Sequence, residues 1–191
     1  MTDMKQKTIN DFMTYATAVI KSRAIPLAED GLKPVLRRIL YAMDEMKLKS
    51  SGKTVKSAKI VGEVMGKYHP HGDASIYDAL VRMSQEWKMR YPLIYVQGNN
   101  GSLNGDSAAA QRYTEAKLTA AGEALLEGLD EDVVKFVPNY DDTNVEPSML
   151  SGIFPNALCN GTEGIAVGVS CSLVPHNLNN VVDLIVAHVN N

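Results

Sequence analysis

Apolar residues recur at helical spacing along much of the chain. Phe12, Tyr15, Ala16, Val19 and Ile20 fall at i, i+3, i+4, i+7 and i+8, which predicts an amphipathic opening helix. A turn-rich stretch, RAIPLAEDGLK, follows. Pro34 then stands where a first helical residue tolerates proline, and PVLRRILYAMDEM carries Val35, Ile39, Ala42, Met43 and Met46 on its buried face, with Arg37 and Arg38 off it. Beyond the linker LKSSGKTVK, residues Ser57–Lys67 place Ile60, Val61, Val64 and Met65 on one side of another helix. After the tight segment YHPHGD a further helix is predicted from Ala74 to about Glu86, with Asp73 as its N-cap. Three short helices and the strand-like Leu93–Val96 give the outline of a winged helix-turn-helix unit, so the expected fold is α+β and mostly helical. Residues 97–110 (QGNNGSLNGDSAAA) read as a long loop, Glu115–Leu129 as a helix, Val133–Val137 as a strand and Leu178–Val189 as a closing helix. From Pro147 onward, Gly-punctuated apolar pieces such as GTEGIAVG mark a second, β-containing unit.

Composition adds a constraint on partners. The 191 residues are 45% hydrophobic and 21% charged, enough for a real core and unlike a disordered chain. The net charge of -3 argues against nucleic acid only until it is divided: residues 21–90 carry +6 and residues 91–191 carry -9. The surplus, in Arg23, Lys33, Arg37, Arg38, Lys53, Lys56, Lys59 and Lys67, surrounds the three-helix unit, where it suits duplex phosphates. Cys159 and Cys171 stand without a CxxC or a His at ligand spacing, so no disulfide framework or zinc site is expected. No apolar run suits a signal peptide or a membrane span, and a reduced cytoplasmic setting is the expectation.

Two motifs carry candidate chemistry. His69-Pro-His71-Gly-Asp73 has the HxHxD spacing of metallohydrolase ligand runs. No second ligand cluster accompanies it, so no metal is assigned to this chain, and the imidazoles suit phosphate binding or proton transfer. Arg112-Tyr113 follows the small-residue loop. A tyrosine oxygen attacks phosphorus when a cation stabilises it and its proton is removed, and Arg112 supplies the cation. Taken alone, an Arg-Tyr pair also fits an ordinary interfacial tyrosine.

The strings YATAVIKSRAIP, DGLKPVLRRILYAM, SAKIVGEVMGKYHPHGD, YDALVRM, GNNGSLNGDSAAAQRYTEAKL and NGTEGIAVGVS occur in this order and together resemble the A subunit of bacterial type IIA DNA topoisomerases, gyrase A or topoisomerase IV A, from about Tyr15 to the C-terminus. The resemblance implies that Tyr113 forms a 5′-phosphotyrosyl link with DNA, helped by Arg112, and that Arg23, His69 and His71 lie near the scissile phosphate. It implies that Lys33, Arg37 and Arg38 hold the DNA backbone and that Ile165 wedges between base pairs, while Lys56, from the basic surplus, is a further DNA-binding candidate. It also divides the chain into an N-terminal arm (1–24), a winged-helix cleavage domain (25–146) and the start of a tower (147–191).

The implied partners are double-stranded DNA, a second A subunit, and a B subunit that carries Mg²⁺ and ATP, with the opening helix as a partner-docking arm. The implied location is the cytoplasm, at the nucleoid, and the chain is expected to be the front part of a longer subunit. Ala74 stands where the family has a serine and Asp78 keeps the acidic position; these two form the quinolone-anchoring site, so weakened quinolone binding is implied. A non-enzymatic winged-helix DNA-binding module and a metallophosphoesterase using HxHxD are the competing readings.

Overall fold

The expected stripes fold as helices in the computed structural model, which describes residues 2–190. Residues 1 and 191, end members of the expected arm and tower segments, lie outside the described residues. α1 (Thr2–Val19) continues into a π turn at Ile20–Ala24. α2 (Pro34–Glu45), α3 (Ser57–Lys67) and α4 (Asp73–Arg82) pack on one another, burying Ile39, Leu40 and Met43 from the first, Ile60, Val61 and Val64 from the second, and Ile76, Leu80 and Val81 from the third. Such burial of aliphatic side chains stabilises by about 1.5–3 kcal/mol each relative to exposure.

β1 (Val55–Lys56), β2 (Ile94–Gln97) and β3 (Glu115–Leu118) form an antiparallel sheet in the order β1-β3-β2, with Val55 opposite Ala116 and Ile94 opposite Leu118. The expected helix over Glu115–Leu129 is corrected here. Ala116 and Leu118 are buried while Glu115 and Lys117 are half-buried, a period of two that makes the first four residues a strand. α5 (Ala120–Leu126) begins only after Thr119, whose hydroxyl accepts the Gly122 amide at 3.1 Å and donates to the Pro92 carbonyl at 2.7 Å. Asp73 is also corrected: it is the first residue of α4 rather than its cap, with its carboxylate at the favourable positive end of the helix dipole.

The remainder is built from small pieces. β4 (Phe136–Pro138) pairs with β5 (Val145–Pro147), α6 (Asn156–Cys159) is a single turn, β6 (Thr162–Ile165) and β7 (Ser170–Leu173) form a hairpin, and α7 (Leu178–Val189) closes the described chain. Leu150, Phe154, Cys159 and Val181 join the same hydrophobic cluster as the three helices, so the apolar core runs across residue 147. α1 stands apart from that core, and α7 touches it only at its start, through Leu178 and Val181. Phe12 and Tyr15 are exposed, and α7 buries only Val181 among its residues.

A polar network ties these pieces together. Buried Asp30 accepts the Arg37 guanidinium at 2.7 and 3.0 Å and the amides of Leu32 and Leu150 at 2.9 and 3.0 Å. Its carbonyl accepts from Asn156, Asn156 accepts from Asn160, Asn160 bonds both backbone groups of Tyr91, and the Tyr91 hydroxyl accepts the first amide of α7. Arg37 is therefore corrected as well. The side chain expected off the buried face is 6% exposed, because a guanidinium can be buried when a carboxylate and a carbonyl satisfy its donors.

Candidate nucleic-acid interface and strand-cleavage site

The HPHGD segment is held from below by its neighbour. Tyr68 is fully buried, meets Tyr41 edge-on with ring centroids 5.4 Å apart, and donates its hydroxyl to Glu45. Burial and that carboxylate push the phenol far above its ordinary range, so Tyr68 is a neutral anchor. With Tyr68 fixed and Pro70 restricting the turn, His69 and His71 emerge side by side, their ring centroids 4.4 Å apart.

They open onto a cleft of about 730 Å³. Arg23 comes to it from the π turn and Arg38 from α2, beside His69, His71 and Tyr140. Arg38 is clamped by Glu146 of β5 through two bonds, Nε at 2.7 Å and Nη2 at 2.6 Å, and its Nη1 lies 2.9 Å from His69 Nδ1. Burial, followed by the positive charges of Arg38, His71 and Arg23, lowers the His69 pKa to about 4. The cleft thus brings together two guanidiniums, one of them paired with a carboxylate, and the His69 imidazole, which burial and those charges keep neutral at physiological pH.

The Arg112-Tyr113 pair is placed by backbone bonds rather than by its own side chains. The first amides of α3 lack intrahelical partners, and those of Ser57 and Ala58 donate to the carbonyls of Thr114 and Gln111, which flank the pair. Beneath it, the buried Thr114 hydroxyl sits between those of Tyr77 (2.9 Å) and Ser57 (2.8 Å), and Tyr77 also donates to the Ala109 carbonyl at 2.6 Å. Gln111 donates to Asp73 at 2.7 Å, joining this turn to the start of α4, two residues past His71. Above this scaffold Tyr113 is 64% exposed, and the Arg112 guanidinium carbon stacks 4.7 Å from its ring centroid. Tyr113 does not line the His69–His71 cleft; the Gln111–Asp73 bond and the Tyr77 hydroxyl tie its turn to α4, which starts beside that cleft.

Of the other expected residues, Lys33 is the cap position of α2 and shares with Asp78 a second groove of about 610 Å³. Ala74 and Asp78 are exposed on the first turns of α4. Lys56 is exposed and pairs with Glu115 at 3.0 Å. Ile165 is 75% exposed at the end of β6, and Gly164 beside it packs directly on the Ala24 carbonyl next to Arg23. Arg37 alone among the expected phosphate contacts points inward, to Asp30. Sequence reading missed Glu146 and Gln111. Glu146 lies 108 residues from its partner Arg38 and has no local signal, whereas Gln111 could have been suspected from its place beside Arg112.

Comparison with known proteins decides the family. A family model of the DNA gyrase/topoisomerase IV A subunit matches residues 23–191. The chain belongs to the A-subunit family of DNA gyrase and topoisomerase IV. It is 53% identical over 180 residues to the DNA gyrase A subunit of Treponema pallidum (strain Nichols), covering 94% of this chain and 22% of the relative. It is 55% identical over 178 residues to the DNA gyrase A subunit of Helicobacter pylori (strain J99), covering 93% and 21%. It is 56% identical over 172 residues to the DNA topoisomerase 4 A subunit of Caulobacter vibrioides, covering 90% and 23%. The chain therefore spans about a fifth of the length of these curated relatives. Among the described residues no helix is long and apolar enough to cross a membrane.

Proposed function

We propose that this chain is the DNA breakage-and-reunion front of a type IIA topoisomerase A subunit. α2, α3 and α4 with the three-stranded sheet act as a winged-helix cleavage domain, and the segment from Pro147 begins a tower. The Tyr113 oxygen attacks a backbone phosphorus, the bond from phosphorus to the 3′ oxygen breaks, and that oxygen leaves as a hydroxyl after taking up a proton. The 5′ end stays on Tyr113 as a phosphodiester. Reversal by the 3′ hydroxyl reseals the strand without a second energy source.

Arg112 stabilises the phenolate, and Arg23 with His71 attends the phosphate. Lys33, Arg38 and Lys56 hold the flanking backbone, and exposed Ile165 wedges into the bent duplex. One observation carries the reading: the turn bearing Arg112 and Tyr113 is bonded through Gln111 to the helix that starts at the cationic imidazole cleft.

The reaction proceeds in a complex of two A subunits with two B subunits, at the nucleoid, with α1 as a docking arm. Mg²⁺ and ATP belong to the B subunit in this reading. The cleft here suits a phosphate better than a cation: its side chains bring two guanidiniums, His69 already shares Nδ1 with Arg38, and Asp73 is engaged by Gln111. Among the described residues no three His, Cys, Asp or Glu are grouped to hold a metal ion. That donor chemistry disfavours the metallophosphoesterase reading.

The test is trapping. The full-length subunit, combined with B subunit, Mg²⁺ and supercoiled DNA, is expected to yield a covalent adduct after detergent denaturation. Tyr113→Phe should abolish the adduct while leaving duplex binding within about twofold, since the hydroxyl contributes chemistry and little charge. Duplex binding with no adduct from the unmodified protein would make the chain a non-enzymatic DNA-binding module instead.

A further inference from the structure

The residue that organises the cleft is one the cleavage chemistry does not name. Glu146 is 8% exposed, stands on a short strand of the β4–β5 pair, and spends both carboxylate oxygens on one guanidinium. A bidentate clamp of this kind fixes the plane of the arginine as well as its position. Arg38 thereby has a single face left for His69, and it offers Nη1 there at 2.9 Å from Nδ1.

A guanidinium has donors only and does not lose a proton in a protein. The ring nitrogen facing it must then be the one with the free lone pair. His69 is consequently protonated on Nε2 alone, since an imidazolium would set N–H against N–H and charge against charge. Charged and titratable neighbours face the ring from α2 (Arg38), from the π turn (Arg23) and from its own segment (His71), with Glu146 reaching it only through Arg38.

We propose that Glu146 is a positioning residue for strand cleavage: by clamping Arg38 it locks His69 as the Nε2–H tautomer, a neutral hydrogen-bond donor beside the scissile phosphate. This deepens the function proposed above and rests on it for the word cleavage, although the tautomer lock itself does not. The division of labour follows. His69 donates and never ionises at working pH, so any proton handled by an imidazole passes through His71.

Nitrogen-15 NMR of histidine-labelled chain reads the lock directly, without DNA. In the unmodified protein His69 is expected to show a pyrrole-like Nε2 and a pyridine-like Nδ1, and to titrate only as pH falls toward about 4. Glu146→Gln keeps the shape but leaves one acceptor in place of two, and His69 should then average between both tautomers. Glu146→Asp, which restores the charge, should recover most of the single-tautomer signature. A His69 that is mixed or cationic near neutral pH in the unmodified chain overturns the lock, with no variant needed. An unchanged Nε2–H signature in Glu146→Gln overturns the role of Glu146.

The link to cleavage is read in the full-length subunit reconstituted with B subunit. There Glu146→Gln should lower the rate of Tyr113 adduct formation about tenfold or more at saturating duplex, as expected when the orientation of a transition-state donor is lost. Undiminished adduct formation despite mixed tautomers overturns the positioning role. A confirmed lock in a protein that never forms the adduct instead sinks the proposed function and leaves the lock standing.

Discussion

Asp30 and Arg37 show how strongly one residue pair can matter here. The Asp30 side chain is 0% exposed and that of Arg37 is 8% exposed, and together they satisfy two backbone amides and one carbonyl. Removing the carboxylate strands a guanidinium in the interior, so Asp30→Ala should cost about 3–5 kcal/mol, read as a fall in the urea midpoint. His69 gives a second, pH-dependent expectation. Its folded pKa of about 4 lies below the ordinary value of about 6.5, so between these values the unfolded chain binds more protons than the folded one. Stability contributed by this group is present above pH 6.5 and is lost as pH falls toward 4, by roughly 1–3 kcal/mol. His69→Asn should flatten the pH dependence of the urea midpoint across that window by the same amount, and an equal slope in both proteins would refute it.

At the scale of elements, periodicity located α2, α3 and α7 to within a residue or so; in α2 and α3 the apolar stripe is buried, whereas α7 keeps the helical period with only Val181 buried. It failed at Glu115–Leu118, where four residues are too few to separate a period of 2 from 3.6 before Thr119 restarts the chain as a helix. The cations and the HPHGD and Arg-Tyr motifs that make up the candidate site stood out in the sequence. Its assembly was hidden, because the bonds that hold the Arg112-Tyr113 turn run to backbone carbonyls, which leave no mark on the sequence, and between side chains 37 to 57 residues apart.

Hairpin placement supplies the test at this scale. A Cβ on Gly164 would lie 2.4 Å from the Ala24 carbonyl oxygen, closer than any real contact. Gly164→Ala should push the β6–β7 hairpin off the π turn that bears Arg23, displacing Ile165. Faster proteolytic nicking within the hairpin and reduced adduct formation are expected, and an unchanged digestion pattern would count against the close docking.

Across the whole molecule, the charge division becomes a spatial one. Arg23, Arg38 and the imidazoles share a cleft, and Lys33 lies at the cap of α2, the helix that contributes Arg38. If Arg23, Lys33, Arg38, Lys56 and Arg112 each neutralise one phosphate, log affinity for duplex DNA should fall with log salt at a slope of about -4 to -5. Fluorescence anisotropy over a salt series measures it, and a slope near -1 would mean that the surplus does not track the backbone.

The polar network that begins at Asp30 has a mechanical consequence. Its bonds run without interruption from the N-terminal end of α2, through Asn156 and Asn160, to Tyr91 and the first amide of α7. Displacing α7 away from this chain must therefore stretch or break one of these bonds unless the helix that holds Arg38 moves with it.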